Sequence, residues 1–188
     1  MQRYQRQDSL LTKLNRQLST LMRPSRKTRS ELEDEIVERL TRRHSTAVVL
    51  LHHAVAERLG LGPTDHKCLD LVRERGAMSG TELAALTGLT TGAITGVVSR
   101  LERAGYLRRE ADPHDGRKQI LRPAPERVRR VHDVFAPIRE DVTTLLRSFD
   151  HAQLTAIARF LAGITDVTHR HVALLRAQAV AEIGGERE

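Results

Sequence analysis

Residues 106–121, Tyr106-Leu107-Arg108-Arg109-Glu110-Ala111-Asp112-Pro113-His114-Asp115-Gly116-Arg117-Lys118-Gln119-Ile120-Leu121, decide the reading of the fold. They predict a short β-hairpin, with strands over 107–111 and 118–121 around a charged turn at 112–117. Pro123 and Pro125 close it, since neither can donate to a ladder. Asp112 and Asp115 are expected to hold the turn from within and to orient Arg117.

The segment just before the hairpin, residues 79–105 (SGTELAALTGLTTGAITGVVSRLERAG), predicts two helices meeting at a tight turn. Ser79 and Glu82 have the spacing of a capping box, so the first helix starts there and ends at Gly88. Thr90 caps the second, which ends at Gly105. Leu83, Leu86, Leu89, Ile94, Val97, Val98 and Leu101 supply the apolar contacts between them. A glycine at the turn permits a conformation costly to residues with a Cβ. A helix-turn-helix backed by a basic hairpin is an arrangement suited to reading DNA.

The second helix would lie in the major groove. Thr91, Gly92, Thr95, Gly96 and Ser99 fall on its non-apolar face, with Thr90 at its start. Gly92 and Gly96 each cost the helix roughly 0.5–1 kcal/mol relative to Ala, which close approach to a groove floor would offset. Threonine methyls can meet thymine methyls, and the hydroxyls can bond bases or phosphates. Arg100, Arg103, Arg108, Arg117 and Lys118 are candidate phosphate ligands, and a wing arginine could enter the adjacent minor groove.

Outward from this centre the chain reads as helical. Residues 31–59 predict a helix capped by Ser30, residues 65–75 one capped by Thr64 or Asp65, and residues 125–147 and 151–178 two more, the last capped by Asp150. The fold class is mainly α, with a small β-hairpin wing. The expected organisation is a basic extension (1–30), a first dimerisation helix (31–60), a winged helix-turn-helix lobe (61–124) and C-terminal dimerisation helices (125–180).

The formal net charge of +7 sits in one place. Residues 1–30 hold eight Lys or Arg and one acid, so they carry the whole excess, and the other 158 residues are formally neutral. The basic balance is therefore no evidence about the folded body. Leu10, Leu11, Leu14, Leu18 and Leu21 suggest a short amphipathic helix within this arm, followed by a polar linker over 23–30. One cysteine excludes an internal disulfide framework. No secretory signal and no membrane-length apolar run is read, which gives a cytoplasmic expectation.

The segment from about 61 to 126 resembles the winged helix-turn-helix of the MarR family of bacterial transcriptional regulators. The resemblance rests on Thr81-Glu82-Leu83-Ala84, on Leu89-Thr90-Thr91, on Arg100 through Leu107, and on Asp112-Pro113-His114-Asp115-Gly116-Arg117. It implies a homodimer, formed by the N-terminal helix and the last two helices, that binds a palindromic operator and responds to a small ligand or to oxidation; a repressor is the expected role. Gly96 stands where the family often has a polar or basic residue. His114 and Gly116 leave less arginine in the wing, and residues 1–30 fall outside the usual pattern.

Other residues have plainer roles. Cys68 could sense oxidants only if exposed and acidified, and its helical neighbours Leu69 and Val72 favour the core. His44, His52 and His66 are candidates to line the cavity where the family's ligands bind, and a small aromatic anion would suit such a pocket. Among the other histidines, His169 and His171 share a helix face poorly and gain no Cys or carboxylate cluster, so neither metal nor cofactor is expected. Ser45, Ser79 and Ser99 lack a base partner, so no enzyme is read. A helical protein-interaction scaffold is the alternative of a different class.

Overall fold

The computed structural model describes residues 27–185, with side chains to residue 179. The amphipathic helix expected around Leu10–Leu21 lies outside the described residues. The described chain falls into two compact units, one ending at Val49 and one starting at Leu50.

In the first unit, helix α1 (Arg29–Asp34) runs through a π-helical stretch (Glu35–Leu40) into α2 (Thr41–Leu59), which continues into the second unit. The cap is Thr28, not Ser30. Its hydroxyl accepts from the Glu31 N–H while the Glu31 carboxylate accepts from the Thr28 N–H, a reciprocal box; Glu33, three residues after Ser30, is paired with Arg29 instead.

The second unit continues with α3 (Pro63–Arg75), β1 (Met78–Ser79), α4 (Gly80–Thr87), α5 (Thr91–Arg103), β2 (Leu107–Ala111), β3 (Gln119–Pro123), α6 (Pro125–Leu146) and α7 (His151–Gly185). α3 starts earlier than expected, because Pro63 takes the first helical position, where its missing N–H costs nothing, and Gly62 is the cap. Asp150 caps α7 as expected, in exchange with Gln153. β1 escaped the sequence reading: two residues carry no period, yet Met78 and Ser79 pair with Leu121 and Ile120 and extend the hairpin into a three-stranded antiparallel sheet, ordered β1-β3-β2.

The core lies under α4 and α5. Leu69 and Val72 from α3, Leu83 from α4, Leu101 from α5 and Val131 from α6 are fully buried, with Ile94, Val97 and Val98 almost so. Those α5 residues recur at helical spacing, so burying them leaves the Thr91–Thr95 side of the helix outside. Tyr106 joins the end of α5 to the wing, and its buried hydroxyl donates to the Leu59 carbonyl at 3.0 Å.

Candidate nucleic-acid interface

Local chemistry fixes the helix-turn-helix. Ser79 and Glu82 form the anticipated capping box at the start of α4. Gly88 ends α4 in the left-handed region, at φ 72° and ψ 12°, with its N–H on the Ala84 carbonyl at 2.8 Å. Arg176 of α7 reaches the same corner and donates to the carbonyls of Ala85 and Leu86 at 3.2 and 2.9 Å. A cation over the carbonyl end of a helix opposes its partial negative charge. No sequence pattern relates residues ninety positions apart, so Arg176 was missed.

At the start of α5 the Thr90 hydroxyl accepts from the Ala93 N–H at 3.2 Å, which makes it a cap first. The Thr95 hydroxyl donates to the Thr91 carbonyl at 2.9 Å. Thr91, Gly92 and Thr95 are exposed; Gly96 and Ser99 are half-buried. A Cβ on Gly92 would meet nothing within 4 Å, and one on Gly96 would meet only the Arg100 guanidinium at 3.4 Å. Packing against a neighbouring helix therefore does not explain these glycines.

Arg100 is more occupied than the sequence reading expected. Its guanidinium binds the Asp65 carboxylate through two hydrogen bonds of 2.9 and 2.7 Å, and Asp65 is buried at the head of α3. The Asp65 hydrogen bond pushes the Arg100 pKa further up. This fork locks the back of α5 to α3, so Arg100 is a positioning residue before it is a phosphate ligand. Arg103 is exposed and makes no ion pair among the described residues.

The wing distributes charge unevenly. In β2 and β3, Glu110 binds both Arg108 (2.7 Å) and Arg122 (2.8 Å), and Arg109 lies 3.3 Å from Glu102 of α5. At the tip Asp112 accepts from the His114 N–H at 2.8 Å and Asp115 from the Arg117 N–H at 3.2 Å, so both carboxylates hold the turn. The side chain paired with Asp115 is Lys118, at 3.4 Å, not Arg117. Arg117 is exposed and alone among these wing cations has no ion pair among the described residues. A groove of ≈ 650 Å³ between α4, α5 and the wing is lined by Thr81, Thr91, Thr95, Lys118 and Gln119.

The model of the MarR family matches residues 59–118, the span from the end of α2 to the wing tip. A Bacillus subtilis (strain 168) protein described as the uncharacterized HTH-type transcriptional regulator YcgE is 39% identical over 152 residues, which cover 81% of this chain and 98% of that one. The chain belongs to the MarR family. It is thus a DNA-binding transcriptional regulator of a family that is not enzymatic. Solved MarR-like structures share the fold: a MarR family protein from Bacillus stearothermophilus has a TM-score of 0.58 at 20% identity, covering 76% of this chain and 99% of its own. A transcriptional regulator from Thermotoga maritima has a TM-score of 0.53 at 24% identity, covering 74% and 98%.

Away from the helix-turn-helix, Cys68 of this MarR-family chain is wholly buried, and burial together with Asp65 pushes its thiol up to about 11. The thiolate needed for oxidant sensing is disfavoured there, and the burial fits the core role. His44 is exposed on α2 and joins no side-chain cluster among the described residues. His52 and His66 do come together, with ring centres 5.3 Å apart beneath Phe135 of α6, which lies 5.8 and 6.2 Å from them. Burial lowers both histidines' pKa values and outweighs Asp70, which favours the neutral ring at pH 7. His66 Nδ1 and Nε2 and His52 Nδ1 have no hydrogen-bond partner among the described residues. Leaving one such atom unpaired costs about 1–3 kcal/mol. Asp70, one turn after His66 on the same helix, is the carboxylate beside both histidines, and the sequence reading did not weigh that spacing.

Among the described residues no helix is long and apolar enough to cross a membrane.

Proposed function

We propose that the protein is a homodimeric repressor whose two α5 helices enter successive major grooves of a palindromic operator, with half-sites about one helical turn apart. Thr91, Gly92 and Thr95 are the base-facing residues, Gly96 and Ser99 line the approach, and Thr90 sets the helix start. Arg103, Arg117 and Lys118 bind phosphates, with Arg108 added if Glu110 releases it; Arg117 is the wing's minor-groove candidate. Arg100 contributes mainly by holding α5 on Asp65.

The observation that carries this reading is the exposed, unobstructed Thr91–Gly92 end of α5 beside a wing tip whose Arg117 has no ion pair among the described residues. Dimerisation is supported by α7. This helix of 35 residues spans about 52 Å yet has no buried residue among those described, and it exposes Phe160, Leu161, Leu174 and Leu175. Apolar area of that extent calls for a second surface. A small aromatic or anionic effector would act by changing the spacing of the two α5 helices. A coupling of about 1–3 kcal/mol suffices for a strong response.

Gel-shift and light-scattering experiments with the protein's own upstream DNA test this. The expected result is a dimer in solution and a sequence-specific shift that Arg117→Ala weakens. A monomer with no shift at low salt would overturn it.

A further inference from the structure

We propose that His52, His66 and Asp70 form a site for a divalent transition-metal ion of the zinc class, between α2 and α3. One donor atom from each residue lies within 4.8 Å of the others. Asp70 Oδ2 is 3.4 Å from His52 Nδ1 and 3.7 Å from His66 Nδ1. The edge of a tetrahedron with metal–ligand bonds of about 2.0–2.1 Å is about 3.3 Å. Both distances to Asp70 are therefore close to that edge, and neither His52 Nδ1 nor His66 Nδ1 has a hydrogen-bond partner among the described residues.

The surroundings fit such an ion. His66 and Asp70 stand four residues apart on α3, so both project from one helix face. Arg73 donates to Asp70 Oδ1 at 3.4 Å, which turns Oδ2 toward the imidazoles. An outer-shell donor of this kind fixes a carboxylate ligand's orientation. The His66 side chain is 0% exposed and its Nδ1 has no hydrogen-bond partner among the described residues, an atom that coordination would satisfy. Lys67 is the competing cation, 3.9 Å from Oδ2, but its side chain is 54% exposed and free to turn to solvent. Two imidazoles and one carboxylate favour zinc, nickel, cobalt or ferrous iron over magnesium or calcium, which prefer all-oxygen sets. Three protein ligands leave a fourth position open.

The test uses untagged, chelator-treated full-length protein without DNA, so its failure is separate from failure of the operator reading. Cobalt(II) is titrated in and followed by its visible absorption, then displaced by zinc(II); magnesium(II) is the control. The expected result is one saturable equivalent per chain, an intense tetrahedral-type cobalt spectrum, and a zinc-dependent rise in melting temperature. Asp70→Asn and His52→Gln should each weaken binding about tenfold or more, while the double variant His169→Gln/His171→Gln binds normally. No saturable binding would overturn the proposal. So would full binding by Asp70→Asn and His52→Gln, or loss confined to the His169/His171 variant. If either ligand variant fails to fold, the wild-type cobalt spectrum decides: an octahedral, weakly absorbing spectrum counts against the site.

Discussion

Replacing Gly88 with alanine perturbs the turn between α4 and α5 in two separable ways. Gly88 has φ 72°, a conformation that costs a residue with a Cβ about 1–2 kcal/mol. The stiffer unfolded chain returns about 0.4–1 kcal/mol of that. The new Cβ would also stand 2.9 Å from both Cζ and Nε of Arg176, closer than such contacts allow. The guanidinium must then leave the Ala85 and Leu86 carbonyls, a loss of about 1–1.5 kcal/mol for a partly solvated charged donor. The net destabilisation is about 2 kcal/mol, or a fall of about 4–8 °C in melting temperature for a chain of this size. Arg176→Ala alone should cost about 1 kcal/mol. The two sites touch, so their effects should not add: the double variant should match Gly88→Ala within about 0.5 kcal/mol. Urea and thermal unfolding followed by circular dichroism measure all three. Additive losses would show that Arg176 does not cap α4, and a neutral Gly88→Ala would refute the left-handed turn itself.

Other expectations follow from single residues. Arg117→Ala removes one unpaired wing cation per protomer, so the slope of log affinity against log salt should fall by about 1.8 for a dimer, at 0.9 per phosphate contact; an unchanged slope would place Arg117 off the DNA. The Cys68 thiol, held up at about 11, should resist a disulfide reagent in the native protein and react fully in denaturant; fast native labelling would refute its burial. In metal-free protein, His52 and His66 have folded pKa values below their ordinary 6.5, so the unfolded chain binds protons first as pH falls. Their contribution to stability should be intact above pH 6.5 and decline below it. His66→Gln should flatten that decline, and an unaltered pH profile would exclude His66 as its source.

The helix-turn-helix and the wing were legible because their signals are local. A capping box at Ser79 and Glu82, a glycine at the turn and Thr90 as cap each act within four residues. The hairpin was legible for the same reason, although its second strand runs through Pro123 and pairs with a two-residue β1 that has no pattern of its own. What stayed hidden was contact across long separations. Asp65 captures Arg100 from 35 residues away, Arg176 reaches Ala85 from 91, and Asp70 meets His52 from a different helix. These pairings depend on how α2 packs with α3, α3 with α5 and α4 with α7, and periodicity does not encode that. The one hidden pairing with a local signature is His66 with Asp70, four positions apart on a helix.

The central claim is that two copies of this chain read a two-fold site through α5 and the wing. The direct measurement is a footprint of the purified protein on its own upstream DNA, with the stoichiometry of the complex determined on the same fragment. The account predicts two chains per site and two protected half-sites about one helical turn apart, with protection weakened by Arg117→Ala. A single protected half-site with one chain bound, or uniform protection without sequence preference, would contradict it.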